Sequence, residues 1–216
     1  MAKSEVFDRI YLEYLERISS IDFRSIKERL GLSLEKGHLI IPFYGAPYRV
    51  SPEGITDDQG KRPSHEISVV LCKYLLMCPE KEPSEAGWIT YVTYKEFKDA
   101  APFVEGFTNN VEKAISRNFS GKLSLLKDAC DAIGGLPAEL GVSYDLCVRF
   151  EALPKVPVLL LFNDEDEEFP AQSSLLFERR AERYLDMECL AITGMVLARW
   201  LIKHLERTEH ESHIEG

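Results

Sequence analysis

The sequence lacks the short motifs by which several large enzyme classes are identified. It contains no His-Glu-x-x-His, Gly-x-Ser-x-Gly, P-loop or Gly-x-Gly-x-x-Gly pattern. Those patterns place zinc ligands, a nucleophilic serine or a phosphate-binding backbone in the geometry that each reaction needs. Their absence argues against a metalloprotease, a serine hydrolase, a nucleotide hydrolase and a Rossmann oxidoreductase.

Cysteine is sparse and scattered along the chain. The sequence has five cysteines, at Cys72, Cys78, Cys130, Cys147 and Cys189. No two of them form a Cys-x-x-Cys pair, so zinc-finger, thioredoxin-like and iron–sulfur spacings are absent. We therefore expect five free thiols in a reducing, cytoplasmic setting. No zinc or iron–sulfur cofactor is predicted, and the sequence identifies no other cofactor.

Long apolar runs and clusters of basic residues are also missing. No apolar stretch approaches the roughly 20 residues that a membrane-spanning helix needs, so no membrane segment is predicted. The net charge is −10, whereas nucleic-acid binding requires a concentrated basic face. The composition is that of a soluble globular domain. The expected partner is a small molecule or another protein, rather than nucleic acid or a membrane.

Apolar periodicity predicts several helices and a β-hairpin in the first two thirds of the chain. Helices repeat apolar residues every three to four positions, and glycine or proline marks their ends. The predicted elements are helices over 6–18, 22–30 and 63–78, a hairpin over 38–50, a strand over 88–94, and two or three helices within 95–135, broken at Pro102, Gly106 and Gly121.

The last third of the chain gives the clearest signals. Residues 143–151 alternate between apolar and polar, which is typical of a strand with one buried face. Val156 to Phe162 is apolar on both faces and therefore predicts an interior strand; a third strand is predicted at 173–177. Residues 186–207 predict a long helix that is mostly core.

Together these signals predict an α+β fold, with a small antiparallel or mixed sheet packed by several helices and a long C-terminal core helix. The chain offers no linker long enough to separate two domains. We therefore expect a single α+β domain over residues 1–207, followed by a polar tail at 208–216.

Asp164 opens a run of five consecutive acidic residues directly after the predicted interior strand. Carboxylate oxygens bind hard divalent cations, so Asp164, Asp166 and Glu168 are candidate metal ligands. If the strands and the long helix converge, Asp145 and Glu188 could join Glu168 in one ligand-binding cleft. The competing interpretation is a solvated connection, with Asp145 facing water and Glu188 favouring the positive end of the helix dipole.

Aromatic residues provide a second set of candidate binding residues. Tyr44, Tyr48 and Trp88 are near the predicted hairpin and the strand that follows it. Such side chains could line an apolar pocket and offer hydroxyl or indole N–H groups to a ligand. Packing of strands in a core accounts equally well for aromatic residues in these positions.

The order of several motifs resembles that of the domain of unknown function 3786 family. The motifs are the strand at 156–162, the acidic turn with Glu168-Phe169-Pro170-Ala171, Leu176-Phe177, Tyr184-Leu185, Glu188, the hairpin at 38–54, Tyr74-Leu75-Leu76 and Gly134-Gly135. The resemblance extends from the first helix to Leu205. It implies an occurrence mainly in anaerobic bacteria and archaea. The family has no established activity, so no catalytic residue can be carried over.

Some members of that family appear with an added cysteine-rich iron–sulfur segment, which implies a link to corrinoid or one-carbon metabolism. This chain has no such segment. Two functions stay open from the sequence. The first is a non-catalytic soluble binding or accessory protein, and the missing nucleophile and cofactor motifs favour it. The alternative is a carboxylate-based enzyme, such as a hydrolase assisted by a divalent metal.

Overall fold

Two antiparallel sheets form the framework of the computed structural model, which describes residues 3–81, 90–141 and 143–214. The first sheet has its strands in chain order: β1 (Ser33–Glu35), β2 (His38–Phe43), β3 (Ala46–Ser51) and β4 (Gly54–Thr56). The second sheet has the order β5-β9-β8-β7-β6, formed by β5 (Tyr91–Thr93), β6 (Leu136–Pro137), β7 (Leu146–Leu153), β8 (Val156–Asn163) and β9 (Gln172–Glu178).

Helices precede, connect and follow the strands. They are α1 (Lys3–Ser19), α2 (Phe23–Leu30), α3 (His65–Leu76), α4 (Val104–Phe107), α5 (Lys113–Phe119), α6 (Leu123–Ala132) and α7 (Met187–Ile214). A π-helical segment, Thr108–Glu112, joins α4 to α5. Short 3₁₀ turns lie at Tyr94–Glu96, Ala101–Phe103 and Arg179–Arg183. These elements confirm the predicted α+β fold and its long C-terminal helix.

Local chemistry explains the best-predicted boundaries. Helix α2 begins where the Asp22 carboxylate accepts the Arg24 N–H, and it ends at Gly31, whose φ is +67°. Both features are common helix ends. The turn between β2 and β3 uses Tyr44 and Gly45 at φ +48° and +77°. Two central residues with positive φ match the twist of a tight hairpin.

The inner face of the second sheet packs on α7. Leu160 and Leu175 pair across β8 and β9 and are fully buried. Helix α7 approaches this layer at Gly194, where a Cβ atom would lie 2.7 Å from Phe107 Cε2 and 3.1 Å from Leu175 Cδ2. The Tyr44 N–H donates to the Ala152 carbonyl at 3.0 Å, which joins the first sheet to the second.

Two helix boundaries differ from the predicted ones. Gly106 lies within α4 and does not end it, because the flanking Phe107 and Val111 are buried and hold the helix in place. Helix α7 continues beyond Arg207 to Ile214, and Glu209 forms a 2.7 Å ion pair with Lys122. The division into a domain and a polar tail stays a prediction.

All five cysteines are free thiols, as the sequence predicts. Burial raises the pKa of the Cys72 and Cys130 thiols to about 12, so these two stay protonated at neutral pH. Within the described part of the chain, no helix combines the length and the apolar character that a bilayer crossing requires.

Candidate functional site

The outer face of the second sheet, opposite α7, has an apolar centre. Because side chains alternate along a strand, Leu159 and Leu161 point away from the inner residue Leu160. Leu159 pairs with Leu176 of β9, and the two outward leucines of β8 are only 1% and 4% exposed. This apolar centre is therefore shielded by the side chains around it on the outer face.

A row of polar side chains from β5, β7 and β9 borders the apolar centre. Arg149 of β7 is the register partner of Leu159, and Tyr91 of β5 is the partner of Glu178. The Arg149 guanidinium donates from Nε to the Tyr91 hydroxyl oxygen at 3.2 Å and forms a 2.5 Å ion pair with Glu151. These contacts fix the guanidinium over the sheet.

A buried ion pair completes the row. Glu178, the last residue of β9, is only 4% exposed, and its carboxylate is paired with the Arg180 guanidinium. A buried carboxylate is costly unless a cation and hydrogen bonds compensate it. Glu178 therefore depends on Arg180, and both side chains are held in place beside Tyr91.

These residues line a cavity of about 370 Å³, which we call the sheet cavity. Its lining consists of Tyr91, Ala138, Glu139, Leu140, Arg149, Glu151, Pro154, Lys155, Pro157, Leu159, Glu178 and Arg180. Basic and acidic side chains are equal in number here, whereas the whole chain carries a net charge of −10. The cavity therefore offers guanidinium groups beside an apolar surface, an arrangement suited to a planar anion with an apolar body.

The opposite end of β8 carries the acidic turn that the sequence singles out. The Asp145 carboxylate accepts the Asp164 N–H at 2.8 Å, and the Asp164 carboxylate accepts the Gly121 N–H at 2.7 Å. The structure thus brings Asp145 and Asp164 together. Both carboxylates are engaged by backbone groups that fix the start of the turn.

Asp166 has the same kind of role within the turn. Its Oδ1 atom accepts the N–H groups of Glu168 at 2.8 Å and Phe169 at 2.7 Å. These two N–H groups lower the pKa of the Asp166 carboxyl. The Glu168 side chain is exposed. Among the described residues, no group of three or more His, Cys, Asp or Glu side chains is placed to hold a metal ion, and metal binding by this turn stays a prediction.

Glu188 lies in a different part of the protein. Strand β9 begins opposite Asn163, beside the acidic turn, and ends at Glu178, after which the chain enters α7. The structure therefore separates Glu188 from Glu168, whereas the sequence allows for a shared cleft. Glu188 lines a separate cleft of about 520 Å³, together with Met77, Asp99, Phe103, Glu182, Arg183, Asp186 and Met187.

Asp186 and Glu188, two carboxylates of that cleft, stabilise the start of α7. Asp186 accepts the Cys189 N–H at 2.9 Å and forms a 2.7 Å ion pair with Lys73. Burial alone would raise the pKa of the Asp186 carboxyl, but the Lys73 ammonium and the Cys189 N–H and thiol outweigh that effect and lower it. Glu188 lies in the first turn of the helix, where a negative charge favours the helix dipole.

The predicted aromatic residues belong to the core where the structure describes them. Tyr44 is buried, donates its hydroxyl to the Thr193 carbonyl at 3.0 Å and packs edge-on against Phe150 and Trp200. Tyr48 is 6% exposed. Trp88 lies outside the described residues. Tyr44 thus fills core space between the first sheet and α7, and Tyr48 is part of the buried core.

Sequence reasoning did not bring the residues of the sheet cavity together. Arg149 and Glu151 were visible as the polar positions of an alternating strand, and this pattern predicts only that they face away from the core. Tyr91 and Glu178 join them through the pairing of β5 with β9. The order of strands in the sheet, which no local pattern encodes, assembles the cavity.

Comparison with known families gives a single result. The family model described as "Domain of unknown function (DUF3786)" matches residues 22–200. This range contains both sheets and the residues of the sheet cavity. No curated protein and no solved structure shows significant similarity to the chain.

Proposed function

The chain belongs to the DUF3786 family, and we propose that it is a non-catalytic binding protein that holds a small organic acid in the sheet cavity. The observation that carries this proposal is the Arg149 guanidinium, which Tyr91 and Glu151 hold beside the buried apolar residue Leu159. A carboxylate of the ligand would bind the guanidinium, and its apolar body would lie against Leu140 and Pro154 of the cavity lining.

The chemistry of arginine supports this ligand class. A guanidinium group presents a planar set of donors that matches a carboxylate. Glu151 occupies this position in the structure, and its side chain is 50% exposed. An exposed ion pair contributes only about 0–1 kcal/mol. A ligand carboxylate can therefore displace Glu151 at little cost while Tyr91 keeps Arg149 oriented.

Cavity size limits the ligand. Small-molecule sites span about 300–1,000 Å³, and the sheet cavity, at about 370 Å³, lies at the lower end. A monocarboxylic acid with a single ring or a short alkyl chain suits this volume. Five free thiols and the acidic surface support a cytoplasmic location and argue against a nucleic-acid partner.

Isothermal titration calorimetry with benzoate and hexanoate tests the proposal. Benzylamine and hexylamine are the matched probes, because they keep the apolar body and reverse the charge. We expect the acids to bind and the amines not to bind. Hydrogen bonds to charged groups contribute about 1.5–3 kcal/mol, so Arg149→Met should weaken binding of the acids by about 10- to 150-fold.

Arg117→Met is the matched control, because Arg117 is an exposed arginine of α5 outside the cavity lining. It should leave the affinity unchanged. Arg180 is a poorer choice of variant, since its loss would leave the buried Glu178 carboxylate without its cation. Equal affinity for acids and amines, or equal losses in Arg149→Met and Arg117→Met, would refute the proposal.

A further inference from the structure

A second, more enclosed cavity lies where the π-helical segment meets the edge of β9. Its volume is about 270 Å³, and we call it the edge cavity. The residues that line it are Thr93, Tyr94, Lys95, Val104, Phe107, Thr108, Glu112 and Ser174. It shares no residue with the lining of the sheet cavity.

The edge cavity exists because β9 extends past its neighbour. Strand β5 ends at Thr93, opposite Leu176, so the residues of β9 before Leu176 have no β5 partner. The π-helical segment covers this edge. The Ser173 hydroxyl donates to the Glu112 carbonyl at 2.6 Å, and the Leu175 backbone lies near enough to the Glu112 carboxyl to lower its pKa. Glu112 is thereby anchored at the edge of the sheet.

The π-helical geometry at Thr108–Glu112 is itself informative. Such a segment places an extra residue in one helical turn, is rare, and often occurs at functional sites. Here it holds Thr108 and Glu112 in the same cavity, and the Thr108 hydroxyl donates to the Glu112 carboxylate at 3.2 Å. Burial raises the pKa of the Glu112 carboxyl above its ordinary value, while the hydrogen bonds and Lys95 oppose that shift.

Lys95 supplies the opposite charge. It lies in the 3₁₀ turn after β5, its side chain is exposed, and no residue within the described ranges forms a salt bridge with it. Its ammonium is close enough to Glu112 to lower the pKa of that carboxyl. Two unlike charges on separate elements therefore face one small cavity, with Val104 and Phe107 as its apolar wall.

We propose that the edge cavity binds a small zwitterion of the amino-acid class, with the ligand ammonium on Glu112 and the ligand carboxylate on Lys95. The hydroxyl groups of Thr108 and Ser174 offer further hydrogen bonds, and Val104 and Phe107 accept a short apolar side chain. The cavity volume of about 270 Å³ restricts the ligand to a few heavy atoms beyond the two charged groups. This site is independent of the organic-acid site.

NMR titration of the full chain with alanine, propionate and ethylamine, followed at the amide signals of Thr108, Glu112 and Ser174, tests this inference. These signals report on the edge cavity separately from the sheet cavity, whose proposed ligand class includes propionate. Propionate and ethylamine each keep one of the two charged groups of alanine. We expect alanine to bind at least about tenfold more tightly than either, because it satisfies both charges. Glu112→Gln and Lys95→Met should each weaken alanine binding by about tenfold or more, whereas Arg149→Met should not change it.

Glu105→Gln is the matched control, since Glu105 is an exposed carboxylate of α4 outside the cavity lining. Lys95→Met keeps the test independent of folding, because the Lys95 side chain is exposed. No binding of alanine at the edge cavity, propionate binding there as tightly as alanine, or unchanged alanine affinity in both Lys95→Met and Glu112→Gln would overturn the assignment.

Discussion

Replacement of Gly194 by alanine tests how closely α7 packs on the second sheet. Two effects oppose each other at this position. Alanine is the better helix former by about 0.8–1 kcal/mol. However, its Cβ atom would lie 2.7 Å from Phe107 Cε2 and 3.1 Å from Leu175 Cδ2, and the first distance is shorter than real Cβ contacts allow.

The clash should oppose the helix propensity because the Phe107 ring is held by its aromatic neighbours. Phe107 is 1% exposed, and its ring stacks on that of Tyr94 with 4.3 Å between centroids. Its centroid also lies 5.9 Å from that of Phe177. Overpacking of a core costs about 1–3 kcal/mol. After the helix-propensity gain is subtracted, we expect Gly194→Ala to lower the free energy of unfolding by up to about 2 kcal/mol.

Gly106→Ala provides the control, since it makes the same change in a helix with space around the new methyl group. The nearest atom to a Cβ there is Asn110 Nδ2, at 4.0 Å. This variant should gain about 0.5–1 kcal/mol. Urea unfolding followed by circular dichroism measures both changes. A Gly194→Ala protein stabilised as much as the Gly106→Ala protein would refute the packing of α7 on Phe107.

Three further predictions concern the core, the edge cavity and the acidic turn. Leu160→Ala should lower the free energy of urea unfolding by about 2–5 kcal/mol, because Leu160 is fully buried; a loss below 1 kcal/mol would contradict this. The raised pKa of Glu112 means that the folded state binds the carboxyl proton more tightly than the unfolded state does. The free energy of unfolding should therefore fall as the pH rises from 4.5 toward the folded-state pKa, and Glu112→Gln should reduce this pH dependence. Because the Glu168 and Phe169 N–H groups stabilise the Asp166 carboxylate, NMR titration should place its pKa below 3.8, and a value at or above 3.8 would argue against the turn.

Much of the fold could be predicted because its signals are local. An aspartate marks the beginning of α2 and a glycine marks its end. The seven apolar residues of Val156–Phe162 require burial on both faces, which an interior strand provides. The same strand also shows what could not be predicted, namely which of its faces packs on the helix. Its inner and outer faces are both apolar, so the sequence could not distinguish the face that packs on α7 from the face that lines a cavity.

The candidate sites could not be predicted because they depend on long-range pairing. Arg149 meets Tyr91 across three intervening strand pairings, and Lys95 reaches Glu112 because β5 is shorter than β9. The acidic turn drew attention through its composition, yet its carboxylates mainly bind backbone N–H groups. A run of like charges indicates exposure, whereas a site requires side chains from several elements.

The affinity of benzoate for the Glu151→Gln protein tests the central claim most directly. Glu151 is the internal carboxylate that a ligand would displace from Arg149. Removal of its charge should strengthen benzoate binding by up to about fivefold, as expected for the loss of an exposed ion pair, whereas Arg149→Met should weaken it. Calorimetry of benzoate binding to the wild type, Glu151→Gln and Arg149→Met proteins measures both changes in affinity. Weaker binding of benzoate to Glu151→Gln than to the wild type, or unchanged binding to Arg149→Met, would contradict the assignment of the sheet cavity as an organic-acid site.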